Sequence, residues 1–79
     1  MSLEETIKQL VLDALKIPEE LYSEDLAAGD IPQWDSIAHI RLLQNTEAAF
    51  DVSFDVADAI AVEDVADLID LVRRYQAAA

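Results

Sequence analysis

Pro32-Gln33-Trp34-Asp35-Ser36-Ile37-Ala38-His39-Ile40-Arg41-Leu42-Leu43, running on to Phe50, is the stretch that decides how this chain is read. Pro32 imposes an extended or turn conformation just upstream. Asp35 is then an N-cap, and Ser36 falls in the first helical turn with its hydroxyl exposed. From Ile37 onward, apolar residues recur at Ile40, Leu43 and Phe50, with Leu42 and Ala49 widening the stripe, which is helical spacing. A hydroxyl in the first turn of a helix, beside a carboxylate and with no base near it, is poorly built for catalysis. It is well placed to be modified by another enzyme.

The flanking sequence reads as further helices. Ser2 followed by Glu5 forms a capping box, and Leu3, Ile7, Leu10, Val11, Ala14 and Leu15 form an apolar stripe that ends near Lys16, with Pro18 closing it. Glu19 to Gln33 is a loop whose apolar anchors are Leu21, Tyr22, Leu26 and Ile31; at about fifteen residues it is long for a structureless connection. The second helix spans about Ser36 to Phe50. Asp51 to Ser53 breaks the pattern, Phe54 can plug the core, and a short helical turn follows around Val56 to Ala61. The last helix, about Glu63 to Tyr75, carries Val65, Leu68, Ile69 and Val72 on one face. Its first turn holds Glu63, Asp64 and Asp67 and its last turn Arg73 and Arg74, matching the helix dipole at both ends. Val52-Ser53-Phe54 alternates like a strand but has nothing to pair with. The expected fold is all-α, a small four-helix bundle of three longer helices and one short one, as a single domain over residues 1–79.

Seventy-nine residues lie near the lower end of independent stability, and with no Cys there is neither a disulfide nor a thiolate metal site. A 53% apolar composition makes a helical core possible. No apolar run of about 18 residues and no leader-like segment occurs, so a soluble cytoplasmic protein is the expectation. Seventeen acidic residues against five basic ones give a formal charge of −12. Such a surface repels nucleic acid and anionic membrane and attracts basic patches on other proteins, although acidity also serves plain solubility.

Catalytic and metal-binding readings find little support. His39 lies off the apolar stripe and is expected to face solvent, and no second His or Cys offers a ligand or a base for a nucleophile. Asp51, Ser53 and Asp55 suggest a calcium loop, but Val56 stands where the turn needs Gly and Val62 where a bidentate Glu belongs. No acid, base and nucleophile converge, so the chain is not read as an enzyme and no metal is assigned.

These residues together resemble the acyl carrier proteins, the phosphopantetheine-dependent carrier family. The likeness covers the whole chain: the first helix, a long loop with Leu26, the Asp35-Ser36-Ile37 triplet at a loop-to-helix junction, a second helix ending in Phe50, and a last helix with Val65 and Ile69 inside. The family triplet is usually Asp-Ser-Leu, so Ile37 is a conservative departure. The resemblance implies that Ser36 is esterified with 4′-phosphopantetheine by a phosphopantetheinyl transferase using coenzyme A, while Asp35 helps the transferase position hydroxyl and metal. It further implies a monomeric carrier that holds an acyl or aminoacyl group as a thioester and meets a loading enzyme and downstream acyl-transfer enzymes. A helix N-terminus suits the phosphodiester, and a chain without Cys offers no thiol to which the thioester could migrate.

Departures from the family pattern bear on the pathway. Fatty-acid carriers usually show a strongly acidic second helix, whereas here its exposed positions are His39, Arg41, Gln44, Asn45 and Ala48, with Glu47 its one carboxylate after Asp35. The acidity lies in the loop, around Asp51 to Asp58, and on the last helix. Trp34 before the triplet and His39 after it look more like stand-alone carriers of specialised pathways that activate an amino, hydroxy or other small carboxylic acid. Trp34 either folds over the core to pin the loop or contacts partners or the pantetheine arm. The surface expected to meet partner enzymes comprises Trp34, Ile37, His39, Ile40, Arg41 and Glu47. The alternatives are a housekeeping fatty-acid carrier and a small acidic interaction domain with no prosthetic group.

Overall fold

In the computed structural model, which describes residues 2–78, the chain begins with the capping that its sequence announces: Ser2 Oγ accepts the Glu5 amide at 3.2 Å. Four helices follow: α1 (Leu3–Leu15), α2 (Ser36–Phe50), α3 (Val56–Ala61) and α4 (Val65–Ala78), with one 3₁₀ turn at Glu19–Leu21. The described residues contain no strand; a single backbone bridge joins Ala27 to Asp64. The all-α four-helix reading holds.

The first two helices stop in the same way. Lys16 and Asp51 adopt left-handed backbone (φ 56° and 53°), and each places two successive amides on one carbonyl. Lys16 and Ile17 share the Leu12 carbonyl; Asp51 and Val52 share that of Glu47. Glycine is the usual occupant of such positions, but the chain has only one, so Lys and Asp take the strain.

The core lies where α1, α2 and α4 meet. It takes Ile7, Val11, Ala14 and Leu15 from α1 and Val65, Leu68, Ile69, Leu71 and Val72 from α4, as their stripes require. On α2 the buried line is Ala38, Leu42 and Thr46, an i, i+4, i+8 row. Of the expected stripe, Leu42 is fully buried and Leu43 and Phe50 pack half-buried against the core, but Ile37 and Ile40 are 70% and 55% exposed and Ala49 is exposed. Both rows have helical spacing, and the row with the small residues is the one that packs inward. Thr46 is tolerated there because its hydroxyl donates to the Leu42 carbonyl at 2.7 Å.

The long loop is fastened to the start of α4. The Val65 and Ala66 amides reach the Leu26 and Glu24 carbonyls (both 3.0 Å), that of Asp67 reaches Asp64 Oδ1 (2.7 Å), and that of Leu68 the Asp64 carbonyl (3.2 Å). The amides of the first three helical residues, which have no partner within the helix, are thus satisfied, and Leu68 closes the first helical bond. The Asp67 carboxylate in turn accepts the Glu63 amide at 3.0 Å. Glu63 and Asp64 therefore precede the helix rather than belong to it. Because α4 runs on to Ala78, Arg73 and Arg74 are not in its last turn; Arg73 pairs with Glu4, and Arg74 lies 3.9 Å from Asp58. In the loop itself Leu26 is buried and Tyr22 and Ile31 partly so, whereas Leu21, expected as an anchor, is exposed.

α3 buries no residue fully. Phe54 packs edge-on against Tyr75, ring centroids 5.1 Å apart, and the Tyr75 hydroxyl accepts the Asp55 amide (2.9 Å) and donates to Asp58 (2.7 Å). This short helix thus hangs from α4 largely by one aromatic side chain.

Candidate functional site

The loop delivers its end to α2 through a chain of short-range bonds. Asp30 accepts the Ala27 amide on its side chain, the Gly29 amide reaches the Trp34 carbonyl (3.1 Å), and that of Trp34 reaches the Ile31 carbonyl (3.1 Å). Gly29, at φ +87°, occupies the one loop position where left-handed backbone is required and glycine supplies it.

Trp34 then drops into the core, only 2% exposed, so it takes the loop-pinning role, although it also lines the groove beside Ser36. Its indole N–H donates to His39 Nδ1 at 3.1 Å, with the two rings stacked 6.1 Å apart at 26°. His39 is half-buried rather than solvent-facing, a correction with a clear cause: the buried indole needs an acceptor, and the imidazole one turn into α2 is within reach.

Between these two residues Asp35 caps α2, its Oδ1 accepting the Ala38 amide at 2.8 Å and its carbonyl the His39 amide at 2.9 Å. Ser36 follows as the first helical residue and is exposed. Among the described residues no bond is found to the Ser36 and Ile37 amides, so two donors at the positive end of the helix remain open beside the hydroxyl.

Two grooves adjoin this point. One, of about 740 Å³, opens beside Ser36 and Asp35 between the Ala27–Gly29 turn and Val62–Glu63. The other, about 490 Å³, lies between α2 and α3, with Leu43, Phe54, Val56 and Ile60 on its walls. His39 and Ile40 line both. The turn and the Val62–Glu63 wall were missed in the sequence because they come together only through the bonds between the loop and α4. Exposed Val56 and Ile60 gave a signal, an apolar pair four apart on a short helix, that was not read as a site.

The other expected surface residues divide. Ile37, Ile40 and Arg41 are exposed on α2, although Arg41 also reaches the Ala14 carbonyl at 3.4 Å. Glu47 is half-buried and turned inward, its Oε2 accepting the Phe54 amide at 2.8 Å. Among the described residues no group of side chains is arranged to hold a metal ion, and no helix is long and apolar enough to cross a membrane.

No protein-family model matches the chain. The acyl carrier protein of Desulforapulum autotrophicum is 32% identical to it over 81 aligned residues, which take in 94% of this chain and 97% of that relative. The chain belongs to the acyl carrier protein family. Members of that family carry acyl groups for other enzymes rather than transform them, and phosphopantetheine is the group they generally use. For an acyl carrier protein of this build, the junction at Asp35 and Ser36 sits at the mouth of the larger groove and one helical turn from the smaller.

Proposed function

We propose that this chain, as a single domain over residues 1–79, is a carrier whose Ser36 bears 4′-phosphopantetheine and which serves a specialised biosynthetic pathway in the cytoplasm. The observation that carries the attachment is the exposed first residue of α2 beside two open helix amides and a groove walled by the small residues Ala27, Ala28 and Gly29. In the reaction the Ser36 hydroxyl oxygen bonds to the phosphorus of coenzyme A that carries the pantetheine. The pyrophosphate bond breaks, adenosine 3′,5′-bisphosphate leaves, and the hydroxyl proton passes to the transferase. When bound, the group supplies a thiol on which an acyl or aminoacyl group is held as a thioester. Asp35 fixes the start of α2 and stands next to the reacting hydroxyl, where it can also help the transferase.

The surface of α2 supports the specialised reading. Its exposed residues include Ile37, Ile40, Arg41 and Gln44, while the carboxylate of Glu47 is occupied with the Phe54 amide. Basic patches shaped for an acidic carrier meet an apolar and partly cationic face here. Each missing rim pair is worth about 0.2–1 kcal/mol, so several together weaken a transient complex by roughly tenfold. The partners are then a phosphopantetheinyl transferase, a loading enzyme and acceptor enzymes with apolar or acidic docking faces, meeting a monomeric carrier.

Two experiments test this. With a promiscuous transferase and coenzyme A, the intact mass should rise by one phosphopantetheine in the native protein and stay unchanged in a folded Ser36→Ala variant; modification persisting in the variant would remove the assignment. In malonyl transfer by a fatty-acid malonyltransferase, the modified protein should be a poor acceptor, and Arg41→Glu with Gln44→Glu should improve it. Transfer as fast as to that enzyme's own carrier would overturn the specialised reading alone.

A further inference from the structure

His39 holds a position that no general carrier role requires. It and Ile40 are the residues common to the groove beside Ser36 and the groove between α2 and α3, so a chain tethered at Ser36 and running from the first groove into the second crosses this part of α2. The imidazole is oriented. An indole N–H can only donate, so Nδ1 of His39 must present a lone pair to Trp34, and the neutral ring then carries its proton on Nε2. No protein acceptor for Nε2 is found among the described residues, and no buried side-chain nitrogen or oxygen there lacks a partner. That N–H therefore faces the solvent of the grooves. The rest of the α2–α3 groove is mainly apolar, with Glu47 bonded to Phe54.

We propose that His39 is the residue by which this carrier selects its cargo, its Nε2–H donating to an oxygen on the tethered acyl group. This rests on the attachment at Ser36. A plain alkyl chain passing the imidazole strips water from an N–H and returns nothing, whereas a short acyl group bearing a hydroxyl or oxo oxygen replaces the lost bond. Trp34 acts through His39: buried and bonded, it stops the ring from turning its donor away. The cargo class is thus a short hydroxyacyl or oxoacyl group in preference to the unsubstituted chain of the same length.

The test uses the full chain modified directly with hexanoyl- or 3-hydroxyhexanoyl-coenzyme A, so that the two forms differ by one oxygen. Trp34 is the sole tryptophan, and its emission and indole N–H resonance report on His39 without any partner enzyme. The hydroxylated cargo should shift both signals and hydrolyse about threefold to tenfold more slowly than the hexanoyl form. His39→Leu should abolish that difference, and His39→Gln, which can still accept from Trp34 and donate onward, should keep part of it. Equal signals and equal hydrolysis in the native protein, or a preference that survives His39→Leu, would overturn the proposal; the native comparison stands even if a variant fails to fold. Absence of any mass gain at Ser36 would remove the attachment and this inference together, while modification without discrimination would remove this inference alone.

Discussion

The buried indole of Trp34 and the half-buried imidazole of His39 share one 3.1 Å hydrogen bond, and through it the end of the long loop is locked to the first turn of α2. Ser36 lies between the two residues in sequence, so the same contact that completes the core also fixes the segment carrying the exposed hydroxyl.

Trp34→Phe should therefore cost about 1–3 kcal/mol in chemical denaturation, from lost volume and the lost bond. Combined with His39→Ala in a double-mutant cycle, the coupling should be about 0.5–1.5 kcal/mol. Strict additivity of the two changes would show that the hydrogen bond contributes nothing.

Glu47 acts as a local cap for the segment entering α3, through its carboxylate on the Phe54 amide at 2.8 Å. Glu47→Ala should destabilise by about 1–2 kcal/mol and speed hydrogen exchange at Phe54 and along α3, while Glu47→Gln, which keeps an acceptor, should lose less. Equal loss from both variants would point to charge rather than to the bond.

The left-handed backbone at Lys16 and Asp51 leaves room for improvement. Lys16→Gly should stabilise the protein by about 0.5–1 kcal/mol, and Asp51→Gly by less, since Asp tolerates this conformation better. A lower melting temperature for Lys16→Gly would mean that its side chain contributes more than the strain removes.

Both tyrosines should titrate above the ordinary phenol value. Burial and then the neighbouring Glu24 carboxylate hold Tyr22 up. At Tyr75 the Asp55 amide pulls down, but the bond to Asp58, burial and the two nearby carboxylate charges outweigh it. A raised folded value favours the neutral phenol. Its stabilisation is fully present below the unfolded phenol's pKa of about 10 and is lost as pH climbs through the higher folded value. Phenolate absorbance should show both transitions displaced upward, and Tyr22→Phe should shrink the alkaline loss of stability. Two ordinary titrations would contradict this.

Charge repulsion should be measurable. Against 17 carboxylate side chains the described residues form three ion pairs, Lys8–Glu19, Arg73–Glu4 and Arg74–Asp58. If moderate salt relieves about 1 kcal/mol, the melting temperature should rise by roughly 4–8 °C. Indifference to salt would show that the core alone sets stability.

Much of this was legible in the chain. The Ser2 cap, the end of α1 at Lys16, the Asp35 cap and the bounds of α2 and α3 are set by contacts within a few residues, which local sequence reports well. The inner face of α2 was only partly legible. Leu42 was expected inside and is, but Ile37 and Ile40 fit the helical spacing as well as Ala38 and Thr46 do, and hydrophobicity favours the wrong pair.

What the sequence determined by itself is therefore the set of helices, the long acidic loop between the first two, and a serine at a capped helix start, since each follows from short-range spacing and capping. Tertiary structure alone decided which side of α2 is covered, that His39 answers a buried indole, and that the Ala27–Gly29 turn faces Val62–Glu63 to form the groove beside Ser36. Those relations join residues distant in the chain, and they are fixed only when α1 and α4 close on the core and the loop carbonyls satisfy the first amides of α4.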